Sequence, residues 1–316
     1  MGGSVLITGG AGFIGSHIAE AYLAAGWSVT CLDDLSRGKR SQVPATASFV
    51  EADVRSPAAF EAVASGGFDV VVHQAAQIDV RISVQEPSLD ASINLVGFAN
   101  ILSAVAAGGV RRVVFASSGG VVYGDPAILP TPEPTANLPI SPYGVSKLAG
   151  EHYLRVLGQL HGFEGVALRY SNVYGPRQDP ASEAGVASIF VSRILAGQPL
   201  TIFGDGTQTR DYVFVKDVAR ANLLAGQVTV SRGDRLDVPA FNIGTARETT
   251  VNELALHVGR ALDRTPVIEY AAPRPGELYR SCLDISKAER ELGWTPQASF
   301  DEGMKALAGW FEGTVR

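Results

Sequence analysis

The first half of the chain alternates short apolar runs with amphipathic stretches, and glycine or aspartate closes most of the runs. Residues 5–8 are apolar up to Thr8 and break at a glycine cluster. Residues 18–25 then repeat their apolar positions at helical spacing until Gly26 stops them. Residues 27–32 form a second apolar run of the kind that suits a buried parallel strand, ending at Asp33-Asp34. Residues 48–54 predict a third strand, 60–64 a short helix, 69–76 a fourth strand, 89–107 a long helix and 110–118 a fifth strand. Four such alternations predict an α/β protein built on a doubly wound parallel sheet, with ligands at the C-terminal ends of the strands.

Beyond this point the pattern loosens. Residues 125–142 are proline-rich without periodicity and predict a loop across the mouth of a site. Residues 148–160 read as a helix and 166–170 as a sixth strand. From Asp179 the loops lengthen and the helices shorten, which predicts a second, smaller mixed α/β lobe toward the C-terminus. The expected division is 1–170 with 211–245, against 171–210 with 246–316.

Composition removes some function classes. A formal net charge of -6 leaves no basic surplus for nucleic acid or anionic membrane. Two cysteines, Cys31 and Cys282, make no disulfide framework or metal cluster and fit a reducing compartment. The chain enters a core strand at once, without room for a signal peptide, and no apolar segment is expected to reach bilayer length. A cytoplasmic protein without a membrane partner is the expectation.

The glycine cluster carries the first candidate chemistry. Gly9-x-x-Gly12-x-x-Gly15 lies between a strand and a helix, where glycine alone permits a tight turn with backbone N–H groups against a diphosphate. Asp33, about 20 residues further on, suits both hydroxyls of an adenosine ribose and repels a 2′-phosphate, so NAD is expected over NADP. His73 reads as a hydrogen-bonded core residue without chemistry. Tyr143 and Lys147 stand four residues apart, on one face of a helix. A phenol is a weak base at neutral pH, but an ammonium one turn away and an oxidised nicotinamide both favour phenolate. The pair thus suits proton exchange with a sugar hydroxyl, and Ser117 or Ser118 offers a further hydroxyl to the same oxygen.

With these residues in place, the chain resembles the extended short-chain dehydrogenases/reductases, and among them the NAD-dependent sugar-nucleotide epimerase/dehydratases. The likeness rests on residues 9–15, on Tyr143-Gly144-Val145-Ser146-Lys147, on residues 169–176 and on Arg274-Pro275-Gly276-Glu277. It implies a Rossmann domain with NAD as cofactor. Phe13, Ile14, Ala75 and Ala76 would line the dinucleotide, Asp53 and Val54 would hold adenine, and Asn94 would lie beneath the cofactor. It further implies Ser118, Tyr143 and Lys147 as catalytic residues. Ser117, Asn172, Arg210, Arg274, Glu277 and Ser281 would contact a nucleotide sugar, with the two arginines on its diphosphate. The strand end is one residue longer than the commonest version, so Ser117 and Ser118 both remain candidates for the catalytic hydroxyl. Relatives also pair as homodimers through the helices matching 89–107 and 148–160.

The scaffold supports several reactions, and the residues after Ser118 discriminate between them. Dehydratases and decarboxylases of this type carry acidic groups there, for work at C5 and C6 or on a carboxyl; this chain has Gly119-Gly120. What remains is oxidation at C4, rotation of the keto sugar and return of hydride, the 4-epimerisation of a UDP-hexose. Alternatives are a 4-keto reductase or dehydrogenase, and a uronate epimerase or decarboxylase. Ser281 stands where some relatives have a tyrosine, leaving room for N-acetylated sugars.

Overall fold

The computed structural model describes residues 2–180, 185–229, 235–273 and 278–314. The strands are β1 (Ser4–Thr8), β2 (Ser28–Asp33), β3 (Ser48–Glu51), β4 (Val70–His73), β5 (Arg112–Ser118), β6 (Glu164–Tyr170), β7 (Asn172–Tyr174), β8 (Leu200–Phe203), β9 (Thr209–Arg210), β10 (Tyr212–Phe214), β11 (Ala240–Ile243), β12 (Thr249–Thr250) and β13 (Ile268–Ala271). The α-helices are α1 (Phe13–Ala24), α2 (Pro57–Ser65), α3 (Val80–Gln85), α4 (Pro87–Ala91), α5 (Gly97–Gly108), α6 (Gly119–Val122), α7 (Pro142–His161), α8 (Val186–Leu195), α9 (Val215–Gln227), α10 (Val251–Ala261) and α11 (Phe300–Thr314).

Seven strands form one sheet in the order β11-β6-β5-β4-β1-β2-β3, and every pair in it is parallel. The expected doubly wound α/β sheet is therefore present. Its central strands are apolar on both faces because helices cover both. Val5, Ile7 and Val72 pack on α1 and α9, while Leu6, Val71 and Val113 pack on α2 and α5. The sequence pattern did not single out the seventh strand, β11, which is only four residues long. A third apolar cluster joins Phe190, Leu200, Leu254 and Leu307 beneath the C-terminal lobe. Phe13 and Ile14 at the start of α1 pack against it, which sets the glycine turn beside this cluster.

The long helix departs from the sequence expectation: it is a run of α4 and α5 joined by a π-helical turn, Ser92–Val96. Among the described residues this run, Pro87–Gly108, is long and apolar enough to cross a membrane by length and composition, contrary to the expectation that no segment is. Phe98, Ile101, Leu102, Ala104 and Val105 are fully buried in the core beside α2, which accounts for its apolar face. Helix α7 begins at Pro142, so that Tyr143 and Lys147 lie on the same helix as residues 148–160. Ser141 caps it by accepting the Gly144 N–H at 3.1 Å, and Pro142 occupies a first-turn position that needs no donor.

Candidate active site

The glycine turn is shaped by close approach. Gly9 has φ +66°, and a side chain there would meet the Ala75 backbone at 2.8 Å. A Cβ on Gly15 would lie 2.1 Å from Gly9 O, and one on Gly12 3.2 Å from the same atom, so α1 sits against the end of β1 only without them. Gly12 is the N-cap of α1 and supplies no side-chain cap, leaving the first backbone N–H groups and the positive end of the helix dipole facing outward. At the end of β2 the Asp33 carboxylate accepts the Ala11 N–H at 3.0 Å and the Leu35 N–H at 2.9 Å. Burial pushes this carboxyl above its ordinary value, and the two N–H bonds partly offset that. Two acceptor positions on it remain for hydroxyl donors. These features fit a dinucleotide diphosphate and ribose, the group NAD presents.

The neighbouring segments continue the floor. Thr8 Oγ1 accepts the Gln74 and Ala75 N–H groups, setting the turn that carries Ala75 and Ala76 past Gly9. Val54 is buried under Gly97, while the Asp53 carboxylate is held by the Arg55 guanidinium, which lowers its pKa. Asn94 uses its whole amide: Nδ2 donates to Gln77 O and Asp90 Oδ1, both at 2.9 Å, and Oδ1 accepts the Gln77 N–H. It lies in the π-helical turn, a distortion that often marks functional sites. His73 is a core residue, with Nδ1 on Thr8 Oγ1 and its ring stacked on Phe98 at 4.5 Å.

Tyr143 and Lys147 share one face of α7. Lys147 Nζ donates to Ala116 O at 2.9 Å and lies 5.7 Å from the Tyr143 ring centroid. Burial lowers the lysine to about 8, with Asp90 acting in the opposite sense. Burial also raises the Tyr143 phenol well above its ordinary range, and Asp90 adds to this. In the protein alone the phenol is therefore held protonated. The two serines at the end of β5 part company. Ser117 is buried and its hydroxyl donates to Glu151 Oε1 at 2.5 Å, whereas Ser118 is half-buried at the strand end, ahead of α6. Ser117 therefore turns into the interior network, with its hydroxyl on Glu151, while Ser118 stands at the more open end of the strand.

Asn172 lies half-buried on β7, and Ser281 is nearly buried. Arg210 on β9 donates from one guanidinium nitrogen to Thr209 O at 2.8 Å. Arg274 and Glu277 lie outside the described residues. A cavity of about 720 Å³ opens between the ends of β8 and β13, walled by Phe203, Gln208, Tyr270, Leu278 and Tyr279. The sequence reading passed over these aromatic walls because they come from strands of a few residues in a region of weak periodicity. It also passed over Asp90, although Asp90 and Asn94 stand at i, i+4 on the same helical run.

The family model for the NAD dependent epimerase/dehydratase family matches residues 5–244. The chain is similar to a putative UDP-glucose 4-epimerase of Methanocaldococcus jannaschii, 46% identical over 312 residues and covering 99% of each chain. Among solved structures it is similar to the UDP-glucose 4-epimerase of Thermotoga maritima crystallised with UDP-glucose, at a TM-score of 0.92 and 43% identity, covering 99% of this chain and 100% of that one. It is also similar to the UDP-glucose 4-epimerase of Thermus thermophilus in complex with NAD, at 0.89 and 44%, covering 98% and 99%. With its glycine turn, Asp33 and the Tyr143–Lys147 pair in place, this chain belongs to the NAD-dependent epimerase/dehydratase family.

Proposed function

We propose that this protein is an isomerase that interconverts UDP-glucose and UDP-galactose at C4, using NAD retained through the cycle. The observation that carries the reading is the Tyr143–Lys147 face of α7, set beside the half-buried Ser118 and a glycine-and-aspartate cradle, with Gly119-Gly120 where other reactions need acids. Full-length similarity to UDP-glucose 4-epimerases supports it.

When bound, NAD would supply the hydride acceptor and donor for oxidation and re-reduction at C4. Gly9, Gly12 and Gly15 hold its diphosphate through backbone N–H groups, with Phe13 and Ile14 heading the helix. Asp33 takes the adenosine ribose, Asp53 and Val54 the adenine, and Ala75, Ala76 and Asn94 the nicotinamide end. Tyr143 removes the proton from the C4 hydroxyl and gives it back after the keto sugar has turned, while Ser118 donates a hydrogen bond to the same oxygen. Lys147 supplies the positive charge that, together with that of oxidised nicotinamide, draws the phenol down from its elevated resting pKa. The lobe of 171–210 and 246–316 binds the nucleotide, with the cavity walled by Phe203, Tyr270 and Tyr279 beside it. There Asn172, Arg210 and Arg274 hold the sugar diphosphate, Glu277 contacts the nucleotide sugar, and Ser281 leaves space at the sugar for an N-acetyl group.

The protein pairs as a homodimer through the helices of residues 89–107 and 148–160. Supporting this, Val96, Tyr153, Val156 and Leu160 expose apolar side chains along these neighbouring helices, Leu160 at 71%. Both cysteines are free, in keeping with a reducing cytoplasm.

The test is proton NMR of the purified protein with UDP-galactose and then UDP-N-acetylglucosamine, adding no cofactor. Appearance of the C4 epimer without added NAD is expected. Stoichiometric formation of reduced cofactor with a net keto product would identify a dehydrogenase instead.

A further inference from the structure

Asp90 is a buried carboxylate, 1% exposed, that the family reading leaves without a task. Its Oδ2 accepts Ser146 Oγ at 2.5 Å, and its Oδ1 accepts Asn94 Nδ2 at 2.9 Å and Gln77 Nε2 at 3.1 Å. The three donors come from three separate segments: α7 immediately before Lys147, the π-helical turn, and the loop after β4. Gln77 is locked in turn, its N–H on Asn94 Oδ1 and its amide nitrogen also on Asp79 O.

We propose that Asp90 is a positioning residue of this site: its carboxylate ties Ser146 to Asn94 and Gln77, fixing α7 against the cofactor floor, and its negative charge sets the pH range in which Tyr143, beside Lys147, exchanges a proton with the substrate. The proposal rests on the reading of Tyr143 and Lys147 as the proton-transfer pair. A fixed anion favours the ammonium of Lys147 and disfavours the phenolate of Tyr143, so it holds both groups toward higher pKa. Burial alone would take Lys147 below its value of about 8, and Asp90 works against that.

Other titratable groups around the pair do not supply this effect. His73, on β4, is pushed to about 3 by burial, with Lys147 adding to the shift, and stays neutral. On α7 itself, Glu151 is engaged by Arg169. Asp79 caps α3 by accepting the Arg81 and Ile82 N–H groups, and the side chains of Arg81 and Glu86 reach the surface. On β5, residues 113–118 carry no charged side chain.

The test is Asp90→Asn, close in shape and without the charge. In NAD-loaded protein, the near-ultraviolet phenolate signal of Tyr143 is read as the difference from a matched Tyr143→Phe background. It should titrate about one pH unit lower than in the parent. Both limbs of the kcat/KM profile for UDP-galactose should move to lower pH by a similar amount. A residue that only packs would lower the plateau and leave the limbs in place; that result, or limbs moving in opposite directions, overturns the proposal. Ser146→Ala keeps the charge and removes one donor from it, so both limbs should rise by about 0.3 pH unit. Should Asp90→Asn fail to fold, limbs that stay or fall in Ser146→Ala overturn the proposal equally. A parent protein that does not turn over UDP-galactose refutes the epimerase reading, while the phenolate titration still decides the part played by Asp90.

Discussion

Arg169 lies in the middle of the molecule with a fully buried side chain, and its replacement by methionine is a demanding test of the interior. Its Nε and one terminal nitrogen grip Glu151 at 2.9 and 2.7 Å, while the other terminal nitrogen donates to Tyr123 Oη at 2.8 Å and Glu133 O at 3.2 Å. Glu151 is equally buried, with a side chain 1% exposed, and Ser117 Oγ is its remaining donor. In Arg169→Met the carboxylate would stay in the interior without its countercharge. Removing one member of such a pair costs about 3–5 kcal/mol. In a chain of this size about 4 kcal/mol lowers Tm by roughly 10 °C. The double variant Arg169→Met/Glu151→Met removes both charges and leaves neutral groups short of a partner, Ser117 Oγ and Glu133 O among them, at about 1 kcal/mol each. It should therefore be more stable than either single variant. Urea unfolding of all four proteins at saturating NAD, followed by circular dichroism, measures the cycle. Single-variant losses that simply add in the double variant would refute the claim that the cost is an orphaned buried charge.

Ser118→Ala should lower kcat about 10²-fold without changing Tm, whereas Ser117→Ala should lower stability by about 1 kcal/mol and leave kcat within a fewfold; steady-state kinetics with thermal melts decides between the serines, and the reverse pattern would return Ser117 to the substrate side. Glu20 on α1 accepts from Arg177, and His17 lies beside it. Although burial raises its carboxyl, the hydrogen bonds of His17 and Arg177 and the charge of Arg177 bring it from 4.5 to about 2. A carboxyl lowered on folding stabilises above its unfolded pKa and loses that contribution as pH falls from about 4.5 through about 2. The stability gap between the parent and Glu20→Gln, measured by urea unfolding, should therefore be present at neutral pH and close in that acid window.

The local pieces of the site could be read from the chain because their signals are short in range. Three glycines at spacing three announce a turn whose φ and close contacts no other residue tolerates, and Gly9 and Gly15 are placed accordingly. Tyr143 and Lys147 share a face because four residues make about one helical turn. In α7 the continuous helical pattern is plain only from Leu148, five residues after Tyr143. The signal for its start, Ser141 followed by Pro142, was present but sat at the end of a proline-rich stretch that reads as loop. The seventh strand was missed because four residues carry too little periodicity, and its place is set by pairing with β6 over 70 residues away.

By itself, then, the sequence determined the alternation of strand and helix, the dinucleotide turn, the carboxylate at the end of β2 and the helical register of the tyrosine and lysine. Each of these follows from backbone sterics or from a period of a few residues. The tertiary structure decided which of two adjacent serines faces outward, because Glu151 arrives from α7 to claim the hydroxyl of Ser117. It also brought Arg169 to Glu151 and Asp90 to Ser146, 56 residues apart, burying charges that a linear reading assigns to the surface. A pKa depends on every neighbour in three dimensions and on the water excluded by them. The protonation of Tyr143 and Lys147 was therefore settled only when α7, the π-helical turn and the sheet closed around them.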